Sequence, residues 1–374
     1  MAAADVDVVV VGAGVVGLAC AAALARAGRS VVVVERHARV GEETTSRNSE
    51  VVHAGLYYTP GSLKAELCCA GREALYARCE ERGIPHRRTG KLVVATDETE
   101  AERLETILER ARANGAPGVQ LLDGKAARER EPAVRAVAAL DSPATGIVDA
   151  MAFTLSFAAE AEEHGAQVVL RTEVRGIEAC SGGWRVEAST DAGEAQAIAG
   201  SALVNAAGLG CDAVAARAGF DVDACGYRLH PCKGDYFALA PGAPLRLSQL
   251  IYPVPAGPGL GVHATLDLGG RIRFGPDAEY VDSIHYDVDP GKAQAFAEAA
   301  RRYLPDLDAA ALHPDYAGVR PKLAGPGQSF RDFVVSEESR VGRPGFVNLL
   351  GIESPGLTAS PAIADRVVEL LSSL

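Results

Sequence analysis

The stretch that decides the fold is Asp5–Glu35, DVDVVVVGAGVVGLACAAALARAGRSVVVVE. Asp5–Val11 is a short β-branched run, predicted to be a fully buried strand. Gly12–Gly28 continues with the Ala/Leu spacing of a helix, and Ser30–Glu35 reads as a second buried strand. Strand, helix and strand within about thirty residues form the unit of a parallel sheet. The first strand–helix junction reads Gly12-Ala13-Gly14-Val15-Val16-Gly17. In this G-x-G-x-x-G spacing the first glycine permits a tight turn and the second lets backbone approach a pyrophosphate. The third lets helix and strand pack closely, and the free N–H groups of the helix N-terminus face the phosphates. Glu35, eighteen positions after Gly17, ends the second strand, where a carboxylate accepts bonds from adenosine ribose hydroxyls.

Working outward, residues 36–60 show no clear periodicity, and so long an irregular segment inside a domain is usually functional. It contains Thr45–Tyr58, TSRNSEVVHAGLYY, which moves from small polar residues to a histidine and two tyrosines. Helices are predicted over 61–82, 98–114, 153–164, 290–303 and 357–371. Strands are predicted over 91–95, 167–171, 174–179, 184–188, 202–205 and 346–350, and residues 226–274 read as several longer strands with Gly/Pro turns. The expected fold class is α/β. A Rossmann-like parallel-sheet domain, discontinuous in sequence (1–85, 146–217 and 336–374), carries a second α+β domain on a mostly antiparallel sheet (86–145 and 218–335).

The 374 residues are 48% hydrophobic and 23% charged, as in globular proteins. A net charge of −12 argues against a nucleic-acid partner but leaves room for a small anionic substrate. The eight cysteines form no C-x-x-C pair and no zinc-ligand spacing, so no metal is expected and the thiols read as free in a reducing compartment. The apolar start lacks a basic region, carries Asp5 and Asp7, and breaks into glycines, unlike a signal peptide. No apolar run reaches about eighteen residues, so no transmembrane segment is expected. These features point to the cytoplasm and leave peripheral membrane association open.

The glycine pattern alone does not separate NAD from FAD. A second Gly/Pro/Ser turn, Gly351–Thr358, opens the last helix and favours FAD, since a helix N-terminus stabilises negative charge on a reduced flavin. Asn205-Ala206-Ala207-Gly208 likewise ends a strand with small residues, as close approach to a cofactor requires.

GAGVVG with VVER, RNSEVVHAGLYYTPGSLKAELC with GKLVVAT, YPVP…LGVH, GVRPKL and SPGLTAS follow one another along the whole chain. In these blocks the chain resembles the D-amino-acid-oxidase-like FAD-dependent oxidoreductases, and within them the L-2-hydroxyglutarate dehydrogenase/oxidase group. The resemblance implies FAD and hydride transfer from a 2-hydroxy acid to flavin N5. It implies that Gly12, Gly14, Gly17, Glu35 and Arg36 hold the adenosine diphosphate half. Thr45, Ser46, Asn48 and Ser49 would line the ribityl and flavin region, with Gly351, Gly356, Leu357 and Thr358 opposite. Val16, Val174, Ala207 and Gly208 complete the candidate cofactor contacts. HPCKGDYF places Lys233 where the group's pattern has an arginine, and GVRPKL carries Pro321-Lys322 after its arginine.

Oxidising a 2-hydroxy acid needs a base for the hydroxyl proton and a cation for the carboxylate. Histidine suits the first task because it titrates near neutrality; the candidates are His53 and His263. Arg320 is the first choice for the carboxylate, its guanidinium offering two parallel donors, with Lys233 and Arg273 as weaker options. Tyr57, Tyr58 and Tyr252 are candidates for orienting the substrate, with Tyr58 placed in the catalytic set. Lys64 reads as a solvated side chain. The expected reaction is oxidation of a short L-2-hydroxy acid, with oxygen, a quinone or an electron-transfer flavoprotein as acceptor. Alternatives are oxidation of glycine, sarcosine or a D-amino acid, oxidation of glycerol 3-phosphate, and flavin binding without turnover.

Overall fold

The computed structural model describes residues 4–255, 261–328 and 330–372. Val6–Val11, the helix Val15–Arg26 and Val31–Val34 form the expected β-α-β unit. Val6–Val11 lies between two parallel neighbours, Val31–Val34 and the long strand Ala195–Asn205. Gln167–Val169 extends the sheet in parallel on one side and Arg343–Leu350 on the other. Thr172–Cys180, Gly183–Thr190 and Val334–Glu338 add antiparallel strands. The chain therefore reverses its direction of sheet growth beside Val6–Val11, the switch point where open α/β sheets bind ligands.

Both faces of this sheet are covered. The helices Val15–Arg26, Ala150–Glu163 and Gly356–Ser372 bury an Ala/Val/Leu-rich layer on one face, and Leu63–Arg82 packs against Gly356–Ser372. Gly71 makes that crossing close, since a Cβ there would sit 2.3 Å from the Thr358 carbonyl oxygen. The other face is closed by aromatic packing, with Trp184 and Phe220 each 5.1 Å from Phe346.

Among the described residues a second sheet of nine strands includes Lys91–Ala95, Ala138–Ser142, His230–Leu239, Leu250–Pro253 and Leu312–Lys322. All its pairings are antiparallel except that of Leu250–Pro253 with Lys91–Ala95. Leu312–Lys322, eleven residues long, was not expected as a strand, because Pro314, Gly318 and Pro321 interrupt its β-forming pattern. It pairs with His230–Leu239 along nearly its whole length, and Pro314 falls just past a register break, where a missing N–H is tolerated.

The irregular segment after Glu35 contains a short 3-10 turn, Thr44–Ser46, and a two-residue strand, Val51–Val52. It is tied to Leu312–Lys322 at several points. The Thr44 hydroxyl donates to the Val319 carbonyl (3.2 Å), the Tyr316 hydroxyl donates to the Asn48 carbonyl (2.6 Å), and Gly318 lies flat on the Arg47 backbone. A Cβ on Gly318 would stand 2.1 Å from the Arg47 carbonyl oxygen, a clash with backbone that no rotamer relieves. Gly318→Ala is therefore expected to cost about 1–3 kcal/mol or more by overpacking. It should also lower retained flavin, checked by thermal unfolding and by the absorbance of the purified protein. A parent-like melting temperature with full flavin content would show that this contact does not join the two sheets.

Candidate active site

Two cavities meet at the carboxyl ends of the first sheet's parallel strands. The smaller, about 190 Å³, is lined by Gly12, Gly14, Glu35, Arg36, Val174, Ala207 and Gly208 among others. The larger, about 640 Å³, takes in Val16, Asn48, Ser49, His53, Tyr57, Tyr58, Tyr252, His263, Arg320, Gly356 and Leu357. Gly14, Thr44, Thr45, Ala206 and Gly208 line both, so the cavities form one continuous trough.

The narrow end is built as a dinucleotide cradle. Gly12 has φ +103°, and a Cβ there would meet the Ala206 carbonyl oxygen at 2.6 Å; one on Gly17 would reach the Gly12 carbonyl oxygen at 2.0 Å. Gly12 thus makes the tight turn and Gly17 the close packing, while Gly14 stays bare at the mouth of the helix. The first amides of Val15–Arg26 lack intrahelical acceptors there, the arrangement that binds phosphate. The Glu35 carboxylate is buried and accepts the N–H groups of Ala13 (2.7 Å) and His37 (2.8 Å). It thereby fixes the turn at the place where a ribose would lie. Arg36 pairs with Glu43 at the rim.

The loop from Thr44 to Tyr58 forms one wall. Thr45 Oγ1 accepts the Val15 N–H at 3.1 Å, and the Asn48 amide donates to the Thr45 carbonyl at 2.6 Å. Ser49 shares a hydrogen bond of 3.2 Å with the Tyr236 hydroxyl. The His53 N–H donates to Thr358 Oγ1 at 3.0 Å, and its Nε2 lies 3.2 Å from the Ser354 hydroxyl, which also bonds Tyr58. Burial, with the nearby Lys91 charge, pushes the His53 imidazole down to about 3. Burial also raises the Tyr57 and Tyr58 phenols, and the Tyr57 hydroxyl is buried without a hydrogen-bond partner among the described residues. His263 lies flat on Tyr252, the ring centroids 3.5 Å apart and the planes 10° from parallel.

Arg320 donates to the Asp277 carbonyl (2.6 Å) and approaches Cys232, but no carboxylate pairs with it among the described residues. Beside it, Glu353 lies between Lys64 Nζ (3.0 Å) and Lys322 Nζ (3.6 Å). Burial works to raise the Glu353 carboxyl, but Lys64, Lys322 and Arg320 outweigh it and hold it below the usual range.

Several expected residues stand elsewhere. Lys233 does not reach the trough: it is buried on the opposite side of its strand, 2.7 Å from Asp235, while Gly234 and Tyr236 take the cavity face. Arg273 is bound by Asp315 at 2.9 Å, with Asp267 and Glu50 nearby. Ser46 points outward, its hydroxyl donating to the carbonyls of Glu42 and Glu43 as small polar residues do in turns. Gly351 and Thr358 act from behind the wall. Gly351 has φ +68° against Leu323, and Thr358 Oγ1 joins the His53 N–H to the Val51 carbonyl.

Lys64, expected in solvent, is instead 6% exposed and lines the trough. Its helix start is capped by Asp332, which accepts the Leu63 and Lys64 N–H groups, and this turns the side chain inward. Lys91 lies outside the expected site residues. It is 1% exposed, with Nζ 4.9 Å from the Tyr57 ring centre and 4.5 Å from that of Tyr252, and burial lowers it to about 7. The signal for it was a lysine opening the apolar run KLVVA, a residue that must be buried with the strand. Thr44, Lys322 and Glu353 are among the other pocket residues that patterning missed.

Residues 7–370 match the family of FAD dependent oxidoreductases. The chain is 41% identical to the mitochondrial L-2-hydroxyglutarate dehydrogenase of Arabidopsis thaliana, over 97% of its own length and 82% of that protein's. With the mitochondrial L-2-hydroxyglutarate dehydrogenase of Homo sapiens it shares 37% identity over 73% of this chain, and it spans 60% of that longer protein. Among solved structures, the dithionite-reduced L-alpha-glycerophosphate oxidase of Mycoplasma pneumoniae with FAD bound superposes with a TM-score of 0.87. The two are 27% identical, with 98% of this chain and 94% of that one covered. A family match that omits only the extreme ends of the chain coincides with a trough shaped for a dinucleotide, and the protein therefore belongs to the FAD dependent oxidoreductases, with FAD as its cofactor.

Proposed function

We propose that this enzyme oxidises L-2-hydroxyglutarate to the 2-oxo acid. The observation that carries the reading is Arg320, a guanidinium without a carboxylate partner among the described residues, in the same cavity as the neutral imidazole of His53. The names of the relatives support the particular hydroxy acid.

The chemistry that FAD supplies when bound is acceptance of the hydride from the carbinol carbon. The chain's own groups do the rest. Arg320 holds the carboxylate next to that carbon, offering two parallel donors to a planar anion. His53 takes the hydroxyl proton as the C–H bond breaks. It is the better placed of the two histidines, because it is the less buried and its Nε2 meets a rotatable hydroxyl, whereas His263, also at the cavity, is 6% exposed with its ring stacked on Tyr252. Arrival of an anionic substrate beside His53 raises the affinity of the ring for a proton at the moment it must accept one. Tyr58, through Ser354, holds the imidazole in orientation.

Anaerobic mixing should bleach the flavin band with L-2-hydroxyglutarate, and far more slowly with D-2-hydroxyglutarate, L-lactate, glycine or glycerol 3-phosphate. Bleaching by glycine or another amino acid alone would overturn the proposal. In His53→Asn the rate of flavin reduction should fall about 10²–10⁴-fold with flavin content retained; a rate within threefold of the parent would assign the base elsewhere. His53 is held neutral at every pH well above 3, so it is lost as a base only as the pH falls through that low value. The acid limb of kcat/KM should accordingly lie far below 6.5. A limb near 6.5 that disappears in His53→Asn would contradict the burial effect.

A further inference from the structure

Arg320 and Lys322 are two residues apart on Leu312–Lys322, with Val319 and Pro321 buried in alternation with them. Successive side chains of a strand point to opposite faces, so the two cations share a face, their Cα atoms about 6–7 Å apart. Both line the larger cavity. Glu353 is shared by two lysines on unequal terms. It is within hydrogen-bond distance of Lys64 Nζ, whose side chain is 7% exposed, and only in looser contact, at 3.6 Å, with the more open Lys322. One carboxylate cannot neutralise both ammonium groups. The surplus charge falls on Lys322, beside a guanidinium that itself has no carboxylate among the described residues.

We propose that Lys322 binds the distal carboxylate of a five-carbon 2-hydroxy diacid whose other carboxylate is held by Arg320, and that Glu353 keeps Lys64 out of that role. The inference rests on the hydroxy-acid reading above and names what selects a diacid within it. A monoacid would engage one cation and leave the other with no ligand anion, so it would forgo a charged hydrogen bond that a diacid gains. The strand spacing sets the ruler: with Cα atoms about 6–7 Å apart on one face, the two side chains can meet the two ends of a short saturated chain.

The test uses the FAD-loaded enzyme and ligands that cannot be oxidised, glutarate and its monoacid counterpart valerate, followed by the change in flavin absorbance on titration. The parent should bind glutarate about 10–100-fold more tightly than valerate, the value of a charged hydrogen bond. Lys322→Met should bring the two affinities within about twofold, and Lys322→Arg should restore most of the preference. Glu353→Gln, which frees Lys64, should tighten glutarate relative to valerate. Equal binding of both acids by the parent would overturn the proposal, as would a tenfold preference surviving in Lys322→Met. If Lys322→Met does not retain flavin, the Glu353→Gln ratio decides, an unchanged or weakened preference counting against the proposal. Preference for glutarate without bleaching by L-2-hydroxyglutarate would sink the proposed reaction and leave this subsite standing.

Discussion

The site depends on a contact between two backbones. Gly318 lies against the Arg47 carbonyl so closely that even a methyl group has no room, and hydrogen bonds from Thr44 and Tyr316 close the seam on either side. The first sheet brings the dinucleotide cradle and the second brings Arg320 and Lys322. This seam helps set the distance between them at the point where chemistry would occur, together with the Ser49–Tyr236 hydrogen bond and the Glu353–Lys322 contact. An irregular loop needs partners for its polar groups, and the strand that carries the cations supplies two, the Tyr316 hydroxyl for the Asn48 carbonyl and the Val319 carbonyl for the Thr44 hydroxyl. Satisfying the backbone and assembling the site are thus one event, and loosening the seam would open the trough and strand polar groups together.

Much of the fold was legible because the decisive stretch is short and locally determined. Val6–Val11, the glycine turn and Val31–Val34 need only neighbours in sequence to be recognised, and Gly12 and Gly17 do what their spacing implies. The strand Leu312–Lys322 was hidden because two prolines and a glycine make poor strand residues; its formation rests on pairing with His230–Leu239, a long-range fact. The same distinction governs the site. His53, Tyr58 and Arg320 were found by residue type and block, and they do share a cavity. Lys233 was misplaced by one position of strand alternation, which a list of residue types cannot register. Lys64 was misread because its burial depends on Asp332 and Glu353, nearly three hundred residues away in sequence.

Three buried lysines show how differently one charge can be accommodated. Lys233 is paired with Asp235, which Lys292 also contacts at 2.8 Å, so the group is structural and closed. Lys64 shares Glu353 with a second lysine and so belongs to a site with positive charge to spare. Among the described residues Lys91 meets the faces of Tyr57 and Tyr252 and pairs with no carboxylate, the weakest compensation of the three, and its ammonium is the one that burial brings down to about 7. Its charge also helps keep His53 unprotonated, so the aromatic wall of the pocket and the availability of the base have a common electrostatic origin.

This arrangement reconciles an acidic protein with an anionic ligand. A net charge of −12 repels an approaching dianion at long range, but that repulsion fades within a Debye length of about 8–10 Å at moderate salt. Inside the trough the relevant charges are few and close, and low-dielectric walls screen them less than water does. Arg320 and Lys322 therefore dominate at contact, although they are a small minority of the protein's charges. On the proposed reading, selection by charge occurs at the strand itself and not at the surface, because the alternation of a single β-strand brings both cations to the pocket.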